Sequence, residues 1–165
     1  MLCEKVLGKL NEDKFKNLSY DYVDIEWHEA FKKLHKKVTH SGREIGIRFD
    51  NEILTRGLKQ DDVIYADEHM VIVVNIPPCE VIVAEAEDAC LIPKLCYEIG
   101  NRHATLFYGN NDMQFITPYN EPMLEMLNKI HRHKDGGCVR VKAERKVIKL
   151  NFDMAISATI NNHTH

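Results

Sequence analysis

The sequence predicts an α+β protein: an all-β N-terminal domain built as a small barrel or sandwich, then a ferredoxin-like βαββαβ domain, then a flexible C-terminal tail. Three observations carry this reading. Short alternating segments bounded by turn signals fill residues 1–76, and a proline pair interrupts the chain at Pro77-Pro78. From Glu80 onward, segments of period two and segments of helical period follow one another in the order β-α-β-β-α-β.

In the first part, residues 20–27 alternate. Tyr20, Tyr22, Asp24 and Glu26 share one face and Val23, Ile25 and Trp27 the other. Residues 36–40 and 44–49 flank Ser41-Gly42, a dipeptide suited to a tight hairpin. Residues 63–66 and 70–76 form a second hairpin around Asp67-Glu68-His69. Short strands joined this way predict an antiparallel barrel or sandwich. No reactive constellation occurs in it, so 1–76 reads as a β-rich, partner-binding module. Neither Pro77 nor Pro78 can donate to a strand ladder, and the domain boundary is placed there.

In the second part, residues 80–85 are alternating and β-branched, hence a strand. Asp88 is a candidate N-cap for a helix whose apolar stripe is Ile92, Leu95, Cys96 and Ile99. Pro93 either kinks that helix or marks its first turn, and Gly100 is expected to end it in the left-handed conformation. Residues 103–108 read as a strand, Gly109-Asn110-Asn111 as a turn and 113–117 as the antiparallel mate. Asn120-Glu121-Pro122 opens a second helix with the stripe Met123, Met126, Leu127 and Ile130, closed by Gly136-Gly137. Val139, Val141 and Ala143 then alternate with polar residues in a last strand. The ferredoxin-like domain is expected over 77–148 and the tail over 149–165, ending Asn161-Asn162-His163-Thr164-His165.

Composition narrows the function. Of 165 residues, 44% are apolar and 28% charged, as in a folded chain. Lys and Arg number 12 against 14 acids up to Pro77 and 10 against 11 beyond it, so neither half is basic and no nucleic acid partner is expected. An RNA-binding sheet also needs exposed aromatics on both central strands, and Val81-Ile82-Val83 offers none. The longest apolar run, 70–74, is far short of the roughly 20 residues that cross a bilayer, which argues against a membrane. Met1-Leu2-Cys3-Glu4-Lys5 is followed by no apolar stretch, so no signal peptide and a cytoplasmic location are expected. The five cysteines form no C-x-x-C pair and read as buried thiols. Metalloprotease, hydrolase, P-loop and dinucleotide fingerprints are absent, and no enzyme is expected.

Nine histidines are the residues that invite chemistry, because imidazole suits nickel and zinc. His28, His35, His40 and His69 have no acid-histidine spacing around them and read as solvated or hydrogen-bonded side chains. His131 and His133 fall in the expected last turn of the second helix, where positions i and i+2 diverge, so capping of helix carbonyls is expected for them ahead of a weak metal contact. His103 stands at a helix-to-strand junction after Gly100-Asn101-Arg102, which suits both presentation of an exposed ligand and carbonyl capping. His163 and His165, two apart, point the same way in an extended tail and can approach one ion.

The string Cys96-Tyr97-Glu98-Ile99-Gly100-Asn101-Arg102-His103 resembles the UreE family of urease accessory proteins, nickel metallochaperones. Residues 22–27 and 57–62 resemble that family's first domain less specifically. The resemblance implies a homodimer joined through the C-terminal domains, with His103 of each chain holding one Ni2+ and Zn2+ or other divalent ions as competitors. It also implies the urease accessory GTPase UreG as recipient, and through it the other accessory proteins and apo-urease. Thr105 stands where many members have proline, and Tyr119-Asn120-Glu121 lacks the extra histidines that some members carry there. With only His163 and His165 in the tail, the implied site is a single interface site rather than a nickel store.

Overall fold

The structure, a computed structural model, describes residues 1–134 and 136–156. It is a mixed α/β chain, mostly strand with few helices, divided into two compact units between Pro77 and Pro78.

The first unit runs β1 (Leu2–Cys3), β2 (Gly8–Lys9), β3 (Ser19–Asp24), β4 (Leu34–Val38), β5 (Glu44–Arg48), a one-turn α1 (Ile53–Arg56), β6 (Asp62–Ala66) and β7 (Met70–Asn75). Its strands form two sheets, β1-β5-β4 and β2-β6-β7-β3. β4 and β5 make an antiparallel hairpin with Val38 opposite Glu44, and Gly42 takes the positive φ of 85° that the turn needs. β6 and β7 make the second hairpin. The expectation of a wholly antiparallel domain needs correcting, because β1 pairs with β5, and β3 with β7, in parallel. Parallel neighbours require a long crossover, and between β3 and β7 the chain passes through β4, β5, α1 and β6 before returning in the same direction. β3 also stops at Asp24. Val23 and Ile25 are fully buried as the alternation demands, but Trp27 starts a 3-10 turn, closed by the Glu29 N–H on the Glu26 carbonyl at 2.8 Å.

The second unit comprises β8 (Cys79–Ala86), α2 (Ile92–Gly100), β9 (Phe107–Tyr108), β10 (Gln114–Pro118), α3 (Glu121–Leu127), β11 (His131–Lys134) and β12 (Gly137–Ile148). They build an antiparallel sheet in the order β11-β12-β8-β10-β9. Both helices lay their stripes on one face of it: Leu95 and Ile99 from α2 and Met123 and Leu127 from α3 pack with Ile82, Ala84 and Phe115. Asp88 accepts the Cys90 N–H at 2.9 Å at the entry to α2, and Pro93 sits in the first turn, where its missing N–H costs nothing. Asn120 caps α3 by accepting the Met123 N–H at 3.1 Å.

Three expectations fail here for identifiable reasons. First, α3 ends at Leu127 instead of running to Gly136-Gly137. The Asn128 side chain accepts the Ala143 N–H and donates to the Ala143 carbonyl, both at 2.9 Å, so it pairs with β12 as a strand neighbour does. The Val141 N–H then bonds the Ile130 carbonyl, and residues 131–134 continue as an edge strand. Gly136, at φ 98°, turns that hairpin. Second, the strand expected over 103–108 is confined to β9, since residues 101–103 still belong to the turn that closes α2. Third, the segment after residue 149 is docked through Ile156: Leu150 is buried, Phe152 packs 6.4 Å from Phe107, Ala155 bridges Phe107, and the Ile156 N–H bonds the Leu106 carbonyl at 2.8 Å. His163 and His165 lie outside the described residues. No helix among the described residues is long and apolar enough to cross a membrane.

Candidate metal centre

The end of α2 is built by its own backbone. Two bonds close the helix, from the His103 N–H to the Gly100 carbonyl at 2.9 Å and from the Ala104 N–H to the Ile99 carbonyl at 3.4 Å. This is the Schellman pattern, which places one residue in the left-handed region, usually glycine. Here that residue is His103, at φ 53°, and not Gly100. Among the described non-glycine residues only Asp61 shares a positive φ. Left-handed backbone costs a residue with a Cβ about 1–2 kcal/mol. An outlier that persists at a chemically capable residue is a reason to look there for function.

The two sides of His103 are anchored. Upstream, Leu95 and Ile99 are fully buried. Downstream, Leu106 and Phe107 are buried and the Thr105 carbonyl accepts the Thr117 hydroxyl at 2.9 Å. Between them the His103 side chain is exposed, flanked by exposed Asn101 and Arg102. A solvent-facing imidazole on a short loop clamped at both ends can offer a ring nitrogen to an ion with little ordering left to do.

Glu98, the acid nearest in sequence, is already engaged. Lys94 Nζ lies 2.5 Å from one of its oxygens, and Arg102 Nη1 donates to the other at 2.7 Å and to the Glu98 carbonyl at 2.8 Å. Hydrogen bonds from Lys94 and then Arg102 hold its carboxyl below the usual range. A carboxylate stabilised in this way is a poor proton acceptor, which weakens any hydrolytic reading of the His103 neighbourhood.

Three further histidines have local partners. His35 Nε2 lies 3.0 Å from the Lys32 carbonyl, His40 Nε2 lies 2.9 Å from Asp24, and His28 packs edge-on against Trp27. His131 and His133 need a new reading. They stand on a strand, not a helix, so both rings project to one side, with centroids 5.7 Å apart. The signal available in the sequence was the two-residue alternation His-Arg-His-Lys running into a glycine pair, a hairpin pattern as much as a helix end.

Among the described residues, no three His, Cys, Asp or Glu side chains are gathered into a group that could hold a metal ion. The described part of the chain brings His103 together with no second ligand, and His163 and His165 are not described. One imidazole supplies one ligand, so an ion at His103 needs donors from elsewhere.

Comparison with known proteins agrees with the motif. The family described as UreE urease accessory protein, N-terminal domain, matches residues 3–77. A urease accessory protein UreE from Helicobacter pylori is 40% identical over 130 residues, 79% of this chain and 76% of that protein. The protein of the same name from Helicobacter acinonychis is 39% identical over the same shares. That from Acetivibrio thermocellus is 40% identical over 129 residues, 78% of this chain and 81% of its own. Similarity of this extent spans both units, and the chain belongs to the UreE family of urease accessory proteins.

Proposed function

We propose that this chain is a nickel carrier for assembly of the urease metallocentre, with one Ni2+ held between the His103 rings of two chains in a homodimer. The observation that carries the proposal is the exposed His103 side chain, kept at a costly backbone position by a helix end that glycine would close without strain. Two-fold symmetry lets one residue per chain supply two ligands. Two imidazoles grip an ion modestly and leave coordination positions open, which suits a protein that must capture nickel and also give it up. Zn2+ and other divalent ions compete for the same nitrogens.

His163 or His165 completes the sphere. Ile156 is bonded to Leu106, three residues beyond His103, and His163 is seven positions after Ile156. Seven extended residues span about 23 Å, while the three from Leu106 to His103 span at most about 11 Å. A tail histidine can therefore reach the His103 ring, and tail ligands can leave one at a time during transfer.

The second unit is read as a ferredoxin-like domain that dimerises and binds metal, supported by two helices on one face of a sheet in which β12, β8, β10 and β9 are neighbours in that order. The first unit is read as the partner-binding module. The recipient is the accessory GTPase UreG, and through it the other accessory proteins and apo-urease, all in the cytoplasm.

Isothermal titration with Ni2+, combined with native mass measurement, tests the proposal. One tight ion per dimer is expected, lost in His103→Ala and weakened by deletion of residues 163–165. Unchanged tight binding in His103→Ala overturns the assignment. A dimer that takes up no nickel leaves an adaptor without a carrier role.

A further inference from the structure

The β11–β12 hairpin places three ligand-type side chains on one surface. Directly opposed residues of an antiparallel pair project to the same face, and the register sets His133 against Cys138 and His131 against Arg140. Val139, opposite Arg132, packs against the hydrophobic core, so the other face, with His131, His133 and Cys138, is turned to solvent. β11 is an edge strand, and among the described residues nothing in the sheet lies beyond it. This edge is opposite to β9, the strand that follows His103.

The chemistry of these groups favours a metal. His131 Nδ1 lies 2.9 Å from the Lys129 carbonyl. A carbonyl can only accept, so Nδ1 carries the hydrogen and the neutral ring presents its lone pair at Nε2. Imidazole ligands of metals are commonly oriented in this way. The His133 ring is its edge-on neighbour at 5.7 Å, and the Cys138 thiol is exposed and bonds only weakly, at 3.8 Å, to the adjacent Val139 carbonyl. Two nearby cations are drawn off by acids just past β8: Lys134 lies 2.6 Å from Asp88, and Arg140 leans toward Glu87 at 4.0 Å.

We propose that the β11–β12 hairpin is a second metal site, in which His131, His133 and Cys138 bind one Zn2+ per chain with water in the fourth position. Two nitrogens and one thiolate in a tetrahedral set select zinc over the harder cations. The three side chains are not pre-gathered. All are exposed, and in the proposed site their side chains rotate on the strand pair to meet the ion. Binding releases the Cys138 proton to solvent as the thiolate forms.

The test uses the full-length chain. Equilibrium dialysis against Zn2+ is expected to show one ion per chain more in the parent than in His131→Ala/His133→Ala. Cys138→Ser is expected to weaken that ion at least about tenfold, the scale on which supporting groups already matter. Loaded with Co2+ as a spectroscopic probe, the parent is expected to show a thiolate-to-cobalt charge-transfer band that Cys138→Ser lacks. In His103→Ala the ion and the band persist, which separates failure of this site from failure of the site at His103. Zn2+ also protects Cys138 of the parent from alkylation, a readout that needs no variant. Equal zinc uptake by the double variant, no band lost in Cys138→Ser, or no protection overturns the proposal.

Discussion

The Ile156 N–H donates to the Leu106 carbonyl at 2.8 Å, so the segment that follows β12 runs back beside β9. Leu150 is 6% exposed and Phe152 meets Phe107 on the way. Burying one large apolar side chain stabilises by about 1.5–3 kcal/mol, and in a chain of this size each kcal/mol moves the melting temperature by about 2–4 °C. Truncation after Lys149 is therefore expected to melt at least about 4 °C below truncation after Ile156. Thermal denaturation followed by circular dichroism measures the difference. Equal melting temperatures mean that residues 150–156 are not docked.

His103→Gly separates the backbone at the end of α2 from the imidazole it carries. Glycine adopts φ near 53° freely, so the substitution removes a penalty of about 1–2 kcal/mol. It also loosens the unfolded chain, which takes back roughly 0.4–1 kcal/mol. A net gain of about 0–1.6 kcal/mol is expected in urea denaturation, together with loss of the nickel ion proposed at His103. A variant that is more stable and unable to bind identifies the strain as functional. A loss of stability instead means that the ring makes contacts that support the fold.

Much of this architecture was legible because local signals and packing agree. The stripe Ile92, Leu95, Cys96 and Ile99, with Asp88 before it, reads as α2, and Leu95 and Ile99 are its buried pair. The Ser41-Gly42 hairpin follows from turn chemistry alone. What could not be read depends on partners distant in sequence. Nothing near Asn128 announces that its amide will bind Ala143, yet that pairing ends α3 and turns His131 and His133 from helix caps into one face of a strand. The parallel pairing of β3 with β7 is likewise a tertiary choice, since alternation sets which face is buried but not which strand lies alongside. At the candidate site, the motif singled out His103 as the expected ligand, whereas the left-handed backbone that it adopts was assigned to Gly100, the usual residue for that role.

The cysteines should differ sharply in reactivity once metal is removed by a chelator. Cys3 is 1% exposed, and burial pushes its thiol up to about 11, so almost no thiolate is present near neutrality. Burial also raises the Cys96 thiol. Cys138 is exposed. Timed alkylation with peptide mapping is expected to label Cys138 first and Cys3 only on unfolding. Early modification of Cys3 contradicts the packing of β1 against β5.

The most consequential polar residue of the first unit is Asp62, whose side chain is fully buried. Arg56 grips it with two hydrogen bonds of 2.7 and 2.8 Å, Lys9 lies 2.9 Å away, and the Lys59 N–H donates at 2.8 Å. Burial raises its pKa, but the bonds from Arg56, Lys59 and Lys9 outweigh that and leave it below the ordinary carboxylate value. A carboxyl held lower in the folded chain than in the unfolded one contributes stability that is complete above the unfolded pKa of about 4 and is lost as pH falls through the folded value. Arg56 and Lys9 keep 30% and 40% of their side chains exposed and can hydrate, so removing Asp62 costs hydrogen bonds to a charged group, about 1.5–3 kcal/mol, rather than the larger penalty of an uncompensated buried charge. Asp62→Ala is thus expected to lose about that much at pH 7 in urea denaturation. The gap between variant and parent should narrow as the pH is taken below 4, where the parent's carboxylate begins to take up its proton. A gap that stays constant down to pH 2 means that Asp62 acts through packing alone and that its charge is not what holds Arg56 and Lys9 in place.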